Sequence, residues 1–274
     1  MLTSAPPIPR TFLSRSTLLS GGLSRRHLDA QLTAGRLIRV RKGRYLTADT
    51  PADVVRAAKL GGRIDCVSLL HALGVYVLSH DTLHTQVTNG ASRLPPPPED
   101  VVRHWRPSSA SPDDVTTPLV EALAQACRCQ APRDAVATID SAWHLGLVDE
   151  DAVAEVFRRL PARYAAVRAL VDKRAESGPE TIVRLMLRAL GCRIEVQVDL
   201  DGVGRVDLIV DGWLIIECDS KAFHEGWDAQ KRDRRRDIAA ARLGYTTIRP
   251  LAEDILYNRD RVLADLKAVL GAHR

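Results

Sequence analysis

The stretch LIIECDSKAFH, from Leu214 to His224, passes from a wholly apolar run into a glutamate, an aspartate, a lysine and a histidine. In an extended strand residues i, i+2 and i+4 share a face, so Glu217, Asp219 and Lys221 project together. Asp207, inside GRVDLIV, belongs to the strand before it. Two carboxylates at one end of a sheet suit a hard divalent cation, Mg²⁺ or Mn²⁺, bound through oxygen. Such a cation orients water and neutralises the charge that grows on a scissile phosphate. A neighbouring lysine or histidine, here Lys221 or His224, can hold the phosphate or move a proton. The chemistry expected is metal-dependent phosphodiester hydrolysis, with Asp207 and Glu217 as metal ligands and Asp219 assisting directly or through water.

Each residue also has a plainer reading. An aspartate inside an apolar strand is costly to bury unless it is paired or bound to metal, and a salt bridge from Asp207 to Arg205 or Arg249 would serve. Glu180 stands in a capping-box pattern, S-x-x-E from Ser177, which needs no catalysis. Lys221 and His224 could be exposed loop residues, and Phe223 and Trp227 read as packing residues. The run KRDRRR, Lys231 to Arg236, reads as a solvated helix face that in a nuclease would also follow the phosphate backbone. Within it Lys231 and Arg235 are candidate phosphate contacts.

The elements around these residues set a demand on geometry. Ser177 opens a helix that stops at Gly191; RIEVQVDL, GRVDLIV and WLIIECDS read as strands, the last two joined at Asp211-Gly212, a hairpin signal. A long basic helix, DAQKRDRRRDIAAARLG, a strand, YTTIRPL, and a short terminal helix follow. A strict two-residue loop would pair Val210 with Trp213 and turn Asp207 and Glu217 to opposite faces. An odd-length turn or a bulge shifts the parity by one and brings them together. The odd-length turn is predicted.

Near the N-terminus the pattern suits a short helix over Thr11 to Ser20, a Gly21-Gly22 break, and a helix capped by Ser24 that carries Leu28 and Leu32 and closes at Gly35. A hairpin follows, turning at Arg41-Lys42-Gly43. This is the order of a winged helix-turn-helix. From Gly21 to Arg44 there are seven basic residues, Arg25, Arg26, Arg36, Arg39, Arg41, Lys42 and Arg44, against one acid, Asp29. Arg25 and Arg26 open the second helix, where helix-turn-helix proteins meet base edges, and the hairpin charges can reach phosphates. A solvated basic surface used for protein contacts is the other reading.

Between these regions, Pro51 to Gly74 reads as helical and TLHTQVT as a strand. Asn89 to Pro118, with four consecutive prolines, reads as a rigid spacer or surface loop. From Thr117 helices dominate, Thr117-Pro118 serving as a cap and first turn. His144, beside Trp143, reads as a packed or surface residue.

The chain has 274 residues, 45% hydrophobic, with formal net charge +5. That describes a globular, multidomain protein with a mild preference for an anionic partner. The N-terminal MLTSAPPIPRTF has no long apolar segment, and no apolar run is long enough to span a bilayer. No membrane association and a cytoplasmic location are expected. Of Cys66, Cys127, Cys129, Cys192 and Cys218, only Cys127 and Cys129 are close, with no partner pair at zinc spacing. Reduced, mostly buried thiols are expected.

Two resemblances sharpen this. GGLSRRHLDAQLTAGRLIRVRKGRYL resembles the N-terminal winged helix of AbiEi-type antitoxins, which implies a DNA-binding module. The block GRVDLIVDGWLIIECDSKAFH, with RDRRRDIAAARLGYTTIRP, resembles the bacterial domain related to very-short-patch-repair (Vsr) endonucleases, within the PD-(D/E)XK nuclease superfamily. That likeness covers Ser177 to about Ile255. It implies that Asp207 is the metal-binding aspartate and Glu217 the acid of the next strand. Asp219 stands where the wider superfamily carries its lysine, and His224 is the motif's histidine. Glu180 is the acid of the first helix, Asp233 and Arg236 the helix pair, and Arg249 the closing arginine. Ser220 departs from the usual glycine, and Lys221 is an added cation.

The organisation expected is α+β and multidomain: a winged helix-turn-helix over 1–50, a mostly helical connecting region over 51–176 with a Pro-rich loop near 93–118, and a restriction-endonuclease-like α/β domain with a mixed sheet over 177–274. The function expected is a Mg²⁺-dependent DNA endonuclease, a hydrolase of bacterial type, positioned by the winged helix. The alternative is a DNA-binding transcriptional regulator or antitoxin-like protein whose nuclease-like domain is inactive. DNA is the expected partner. A second copy of the chain or a toxin-like protein are partners left open, and nothing in the sequence favours RNA.

Overall fold

The computed structural model describes residues 8–218 and 227–273. The chain is a mixture of helices and small mixed sheets, in keeping with an α+β multidomain class. It divides into two compact units, residues 1–130 with 150–161 and residues 131–149 with 162–274. The helical stretch expected to connect two domains is therefore shared between these units. No helix among the described residues is long and apolar enough to cross a membrane.

The first unit begins with β1 (Leu13–Ser14), α1 (Arg15–Ser20), α2 (Arg25–Thr33), β2 (Leu37–Arg41) and β3 (Arg44–Thr47). Ser14 and Ser24 cap the two helices, accepting from the N–H groups of Thr17 and His27, each cap being worth about 1 kcal/mol. The helix expected from Thr11 starts later, because Leu13 and Ser14 pair with Tyr45 and Arg44 of β3. Sheet order is β1-β3-β2. Leu28 and Leu32 of α2 pack with Leu37, Tyr45, Leu13 and Leu18, so the helical spacing of the two leucines is a packing stripe.

There follow α3 (Ala52–Lys59), β4 (Arg63–Ile64), α4 (Cys66–Ala72), β5 (Leu83–Val87), β6 (Val101–Trp105) and α5 (Leu119–Cys129). The chain leaves through α6 (Pro132–His144) of the second unit and returns with α7 (Glu150–Arg158). The second sheet has order β4-β5-β6, with β5 and β6 parallel. Strand β6 corrects the reading of Asn89 to Pro118 as unbroken loop. VVRHW is too short and too charged to announce itself, and its pairing with β5 is a tertiary effect. Thr117 is also corrected. Pro118 takes the cap position of α5 with no side-chain cap bond, and the Thr117 hydroxyl donates instead to Asp65 Oδ1 at 2.6 Å.

The second unit continues with α8 (Ala165–Arg168), α9 (Gly178–Ala189), β7 (Ile194–Leu200), β8 (Gly204–Val210), β9 (Leu214–Ile216), α10 (Trp227–Arg242), β10 (Thr246–Ile248), α11 (Ala252–Tyr257) and α12 (Arg259–Ala272). The sheet order is β10-β9-β8-β7, with β10 parallel to β9 and the other pairs antiparallel, as the sequence pattern of a mixed sheet implied. Leu214, Ile215 and Ile216 are consecutive and all buried, so the sheet is covered on both faces. Part of that cover is α10, whose Ala240 joins Val203, Val206, Ile209 and Ile215 in one apolar cluster. The chain closes with two helices, the second of 14 residues, where one short helix was expected.

Helix α9 is buried along most of its length and carries charge inward. Arg184 donates to Asp140 Oδ2 of α6 at 2.8 Å, and the Thr181 hydroxyl and the Asp172 N–H donate to the same carboxylate. A buried carboxylate is tolerable here because its oxygens are satisfied.

Candidate functional site

The turn between β8 and β9 decides the site. Val210 pairs with Leu214, Ile209 with Ile215 and Leu208 with Ile216. The loop is the three residues Asp211-Gly212-Trp213, the odd length that the chemistry demanded. Asp211 and Gly212 both take positive φ, 51° and 78°, and the Trp213 N–H donates to the Val210 carbonyl at 3.1 Å. The Asp211 side chain accepts from the Arg193 N–H at 2.8 Å, which holds the turn against the start of β7. Continued by one step, this register sets Asp207 opposite Glu217, on the same face.

Three acids meet the sheet here. Asp207 is half-buried; Glu217 and Glu180 are buried, 8% and 4% exposed. Asp207 Oδ2 accepts from the Cys218 N–H at 2.7 Å, a bond across the β8–β9 pair that fixes its carboxylate. Gln197 ties it to the helix: its Nε2 donates to Glu180 Oε2 at 2.8 Å and to Asp207 Oδ1 at 3.2 Å. Burial, and then the Asp207 carboxylate facing it, push the Glu180 carboxyl above its ordinary range, although hydrogen bonds from Glu176 N–H, Ser177 and Gln197 oppose this. Ser177 caps α9 by accepting from the Glu180 N–H. The Glu180 side chain also accepts from Gln197 and from the Glu176 N–H. Glu180 is thus at once a cap-region residue and a member of the acidic group.

Glu217 is held by cations. Arg236 of α10 donates to its Oε1 at 2.9 Å, and Arg249 Nη2 lies 3.9 Å from the same oxygen. Arg236 also donates to the Val203 carbonyl at 3.0 Å, and Arg249 pairs with Asp237 at 2.9 Å. Arg205 pairs with Glu176 at 2.6 Å. Among the described residues, Arg205 pairs with Glu176, and Arg249 pairs with Asp237 and lies near Glu217.

Asp219, Lys221 and His224 lie outside the described residues, as do Ser220 and Phe223. Of the candidate DNA contacts, Arg25, Arg26, Arg39, Arg41 and Lys42 are exposed, the first two on α2 and the others on β2 and its turn. Arg44 is half-buried, pairs with Asp113 at 3.1 Å and lies over the Phe12 ring. Its charge is committed within the first unit. On α10, Arg235 is exposed and Lys231 half-buried. A cleft of ≈ 700 Å³ opens beside Gln197, its lining including Trp143, His144, Lys173, Arg174 and Arg205. His144 sits there as an exposed residue near the Lys173 carbonyl, 3.3 Å away.

Sequence reasoning missed two groups. Gln197 sits in β7 with φ 55°, where the ladder to β8 skips a pair between Val196↔Leu208 and Val198↔Val206. A lone glutamine between valines carries no signal of this. The second group lies in the first unit: one ligand atom each from Cys66, His84, His104 and Cys129 all fall within 4.8 Å of one another. Cysteine spacing could not find it, because each ligand comes from a different element. The thiols are free, and Cys66, Cys127 and Cys218 are buried, as expected; that exposed Cys129 converges with Cys66 was not.

The chain matches no protein-family model. Comparison with curated proteins finds no match either.

Proposed function

We propose that the second unit is a nuclease-like domain that hydrolyses DNA phosphodiesters with a divalent cation, Mg²⁺ or Mn²⁺, and that the N-terminal elements form a winged helix that binds the DNA. The observation that carries this reading is the three-residue turn, which brings Asp207 opposite Glu217. The donor set fits such a cation. It is all oxygen, as hard cations require, and the Asp207 carboxylate, which after burial itself helps raise the Glu180 carboxyl, is a crowding that a cation would relieve. Asp207 and Glu217 would hold it. A bound cation supplies a lowered pKa for the attacking water and neutralises charge on the scissile phosphate.

The chain's own residues do the rest. The Cys218 N–H and Gln197 fix the Asp207 carboxylate in one orientation. Arg236 and Arg249 compensate the buried Glu217 and would carry positive charge toward a phosphate bound there. The cleft beside Gln197 holds Lys173, with Arg174 and Arg205 already paired to Asp172 and Glu176. Roles for Asp219, Lys221 and His224, as acid, phosphate contact and proton carrier, rest on the sequence alone.

One observation favours the alternative, a DNA-binding regulator or antitoxin-like protein with an inactive nuclease-like domain. Glu217 already has an ion-pair partner in Arg236, as a purely structural acid would. Cleavage of supercoiled plasmid with Mg²⁺ or Mn²⁺ separates the two. Metal-dependent nicking by the wild type, lost in Asp207→Ala and in Glu217→Ala, is expected. Absence of nicking, with DNA binding that falls when Arg25 and Arg26 are replaced, would establish the regulator instead.

A further inference from the structure

Cys66 opens α4, His84 lies in β5, His104 in β6 and Cys129 closes α5. In the parallel register His84 pairs with Val102 and Gln86 with His104, so the two imidazoles share a face of the sheet, two positions apart. His84 Nδ1 and His104 Nε2 are 3.0 Å apart, and Cys129 Sγ lies 3.9 Å from the same His104 nitrogen. All four ligand atoms lie within 4.8 Å of one another. A tetrahedral zinc with bonds of ~2.3 Å to sulfur and ~2.0 Å to nitrogen would have its ligand atoms roughly 3.3–3.8 Å apart. The four atoms are near those separations.

The surroundings orient these groups. The other ring nitrogen of His84, Nε2, is 3.1 Å from the Thr82 hydroxyl, and the His84 N–H donates to Ser68 Oγ of α4 at 2.8 Å. Gln125 Nε2 donates to Cys129 Sγ at 3.3 Å. Partners of this kind fix ring orientation and support a thiolate at metal sites. Beside the cluster, Arg106 follows β6 and bonds both Asp65, which precedes Cys66, and Glu121 of α5. The ligand-bearing elements are thus tied together independently of the ligands. Cys66 takes φ 52°, a conformation uncommon outside glycine and found where a site constrains the backbone. A hydrogen bond between two histidines would explain the imidazole pair. It would not explain why two sulfurs from distant elements converge on it.

We propose that Cys66, His84, His104 and Cys129 bind one Zn²⁺ as a structural site that clasps α4, β5, β6 and α5. Two thiolates and two imidazoles are a donor set that structural zinc takes, and four protein ligands leave no open position for a substrate. The role is stabilisation of the first unit, separate from the acidic site of the second.

The test is the metal content of the full chain, purified without chelators and dialysed after exposure to Zn²⁺. One zinc per chain is expected, lost in Cys129→Ser and in His84→Ala and kept in Cys192→Ser, which alters a thiol outside the cluster. Because a ligand variant can fail to fold, the wild type is also loaded with Co²⁺. Tetrahedral d–d bands with thiolate-to-cobalt charge transfer are expected, and chelation should lower the thermal midpoint. A wild type that retains no zinc, a cobalt spectrum without thiolate charge transfer, or a folded Cys129→Ser variant with undiminished zinc would each overturn the proposal.

Discussion

At the scale of residues, the second unit's acids and the first unit's acids solve different problems. In the first unit, Arg106 lies between Asp65, which is wholly buried, and Glu121, donating to each at 2.8 Å. Replacing it by leucine leaves two buried carboxylates without their shared cation. Such a loss costs on the order of 3–5 kcal/mol, and urea unfolding of Arg106→Leu should register it as a lower midpoint. Burial alone would raise the Glu121 carboxyl. The Ser109 N–H, the Ser108 and Ser109 hydroxyls and Arg106 more than offset that and hold it down at about 2. Since the folded value lies below the ordinary 4.5, its contribution is present above that pH and is lost as the pH falls toward 2. Glu121→Gln should flatten the decline in stability over this acid window, measured by urea unfolding at successive pH values. An unchanged acid profile would assign the decline to other groups.

Elements show why some of this was legible in sequence and some was not. The parity argument around Asp211-Gly212 worked because side-chain alternation in strands is strict and the acids had to face each other to make sense. The same arithmetic yields a variant: deleting Leu214 keeps the three-residue loop, pairs Val210 with Ile215 and Leu208 with Glu217, and so turns Glu217 away from Asp207. Loss of metal-dependent cleavage with a retained circular-dichroism spectrum is expected. Gly212, at φ 78°, should resist substitution, and Gly212→Val is expected to cost ~1–2 kcal/mol from the left-handed backbone alone, read by chemical denaturation. Strand β6 was hidden because its stability comes from pairing with β5 rather than from its own residues. The Thr117 cap was misread because a buried aspartate far away in sequence competed for its hydroxyl. Gln197 and the cysteine–histidine group were invisible for the same reason: only the fold brings their partners together.

For the whole molecule, the proposed division of labour rests on charge. The net charge of +5 is concentrated usefully: Arg25, Arg26, Arg39, Arg41 and Lys42 are exposed on the first unit, and Arg235 on α10 of the second. Arg44 has left that set, since Asp113 and Phe12 occupy it. The proposed binding to duplex DNA should therefore weaken steeply with salt. Replacing Arg25 and Arg26 by alanine should lower affinity, and each phosphate contact removed should lower the log–log salt slope by about 0.9. Fluorescence anisotropy across a salt series checks this, and Arg44→Ala should leave the slope nearly unchanged. The measurement that bears most directly on the central claim, that Asp207 and Glu217 face each other to hold one cation, is Mn²⁺ binding followed by the loss of the free-ion electron paramagnetic resonance signal. It is made on wild type, Asp207→Asn and Glu217→Gln, each preloaded with zinc. One Mn²⁺ per wild-type chain, weakened at least tenfold by either substitution, is the predicted result. Binding that both variants retain, or no binding by the wild type, would contradict it.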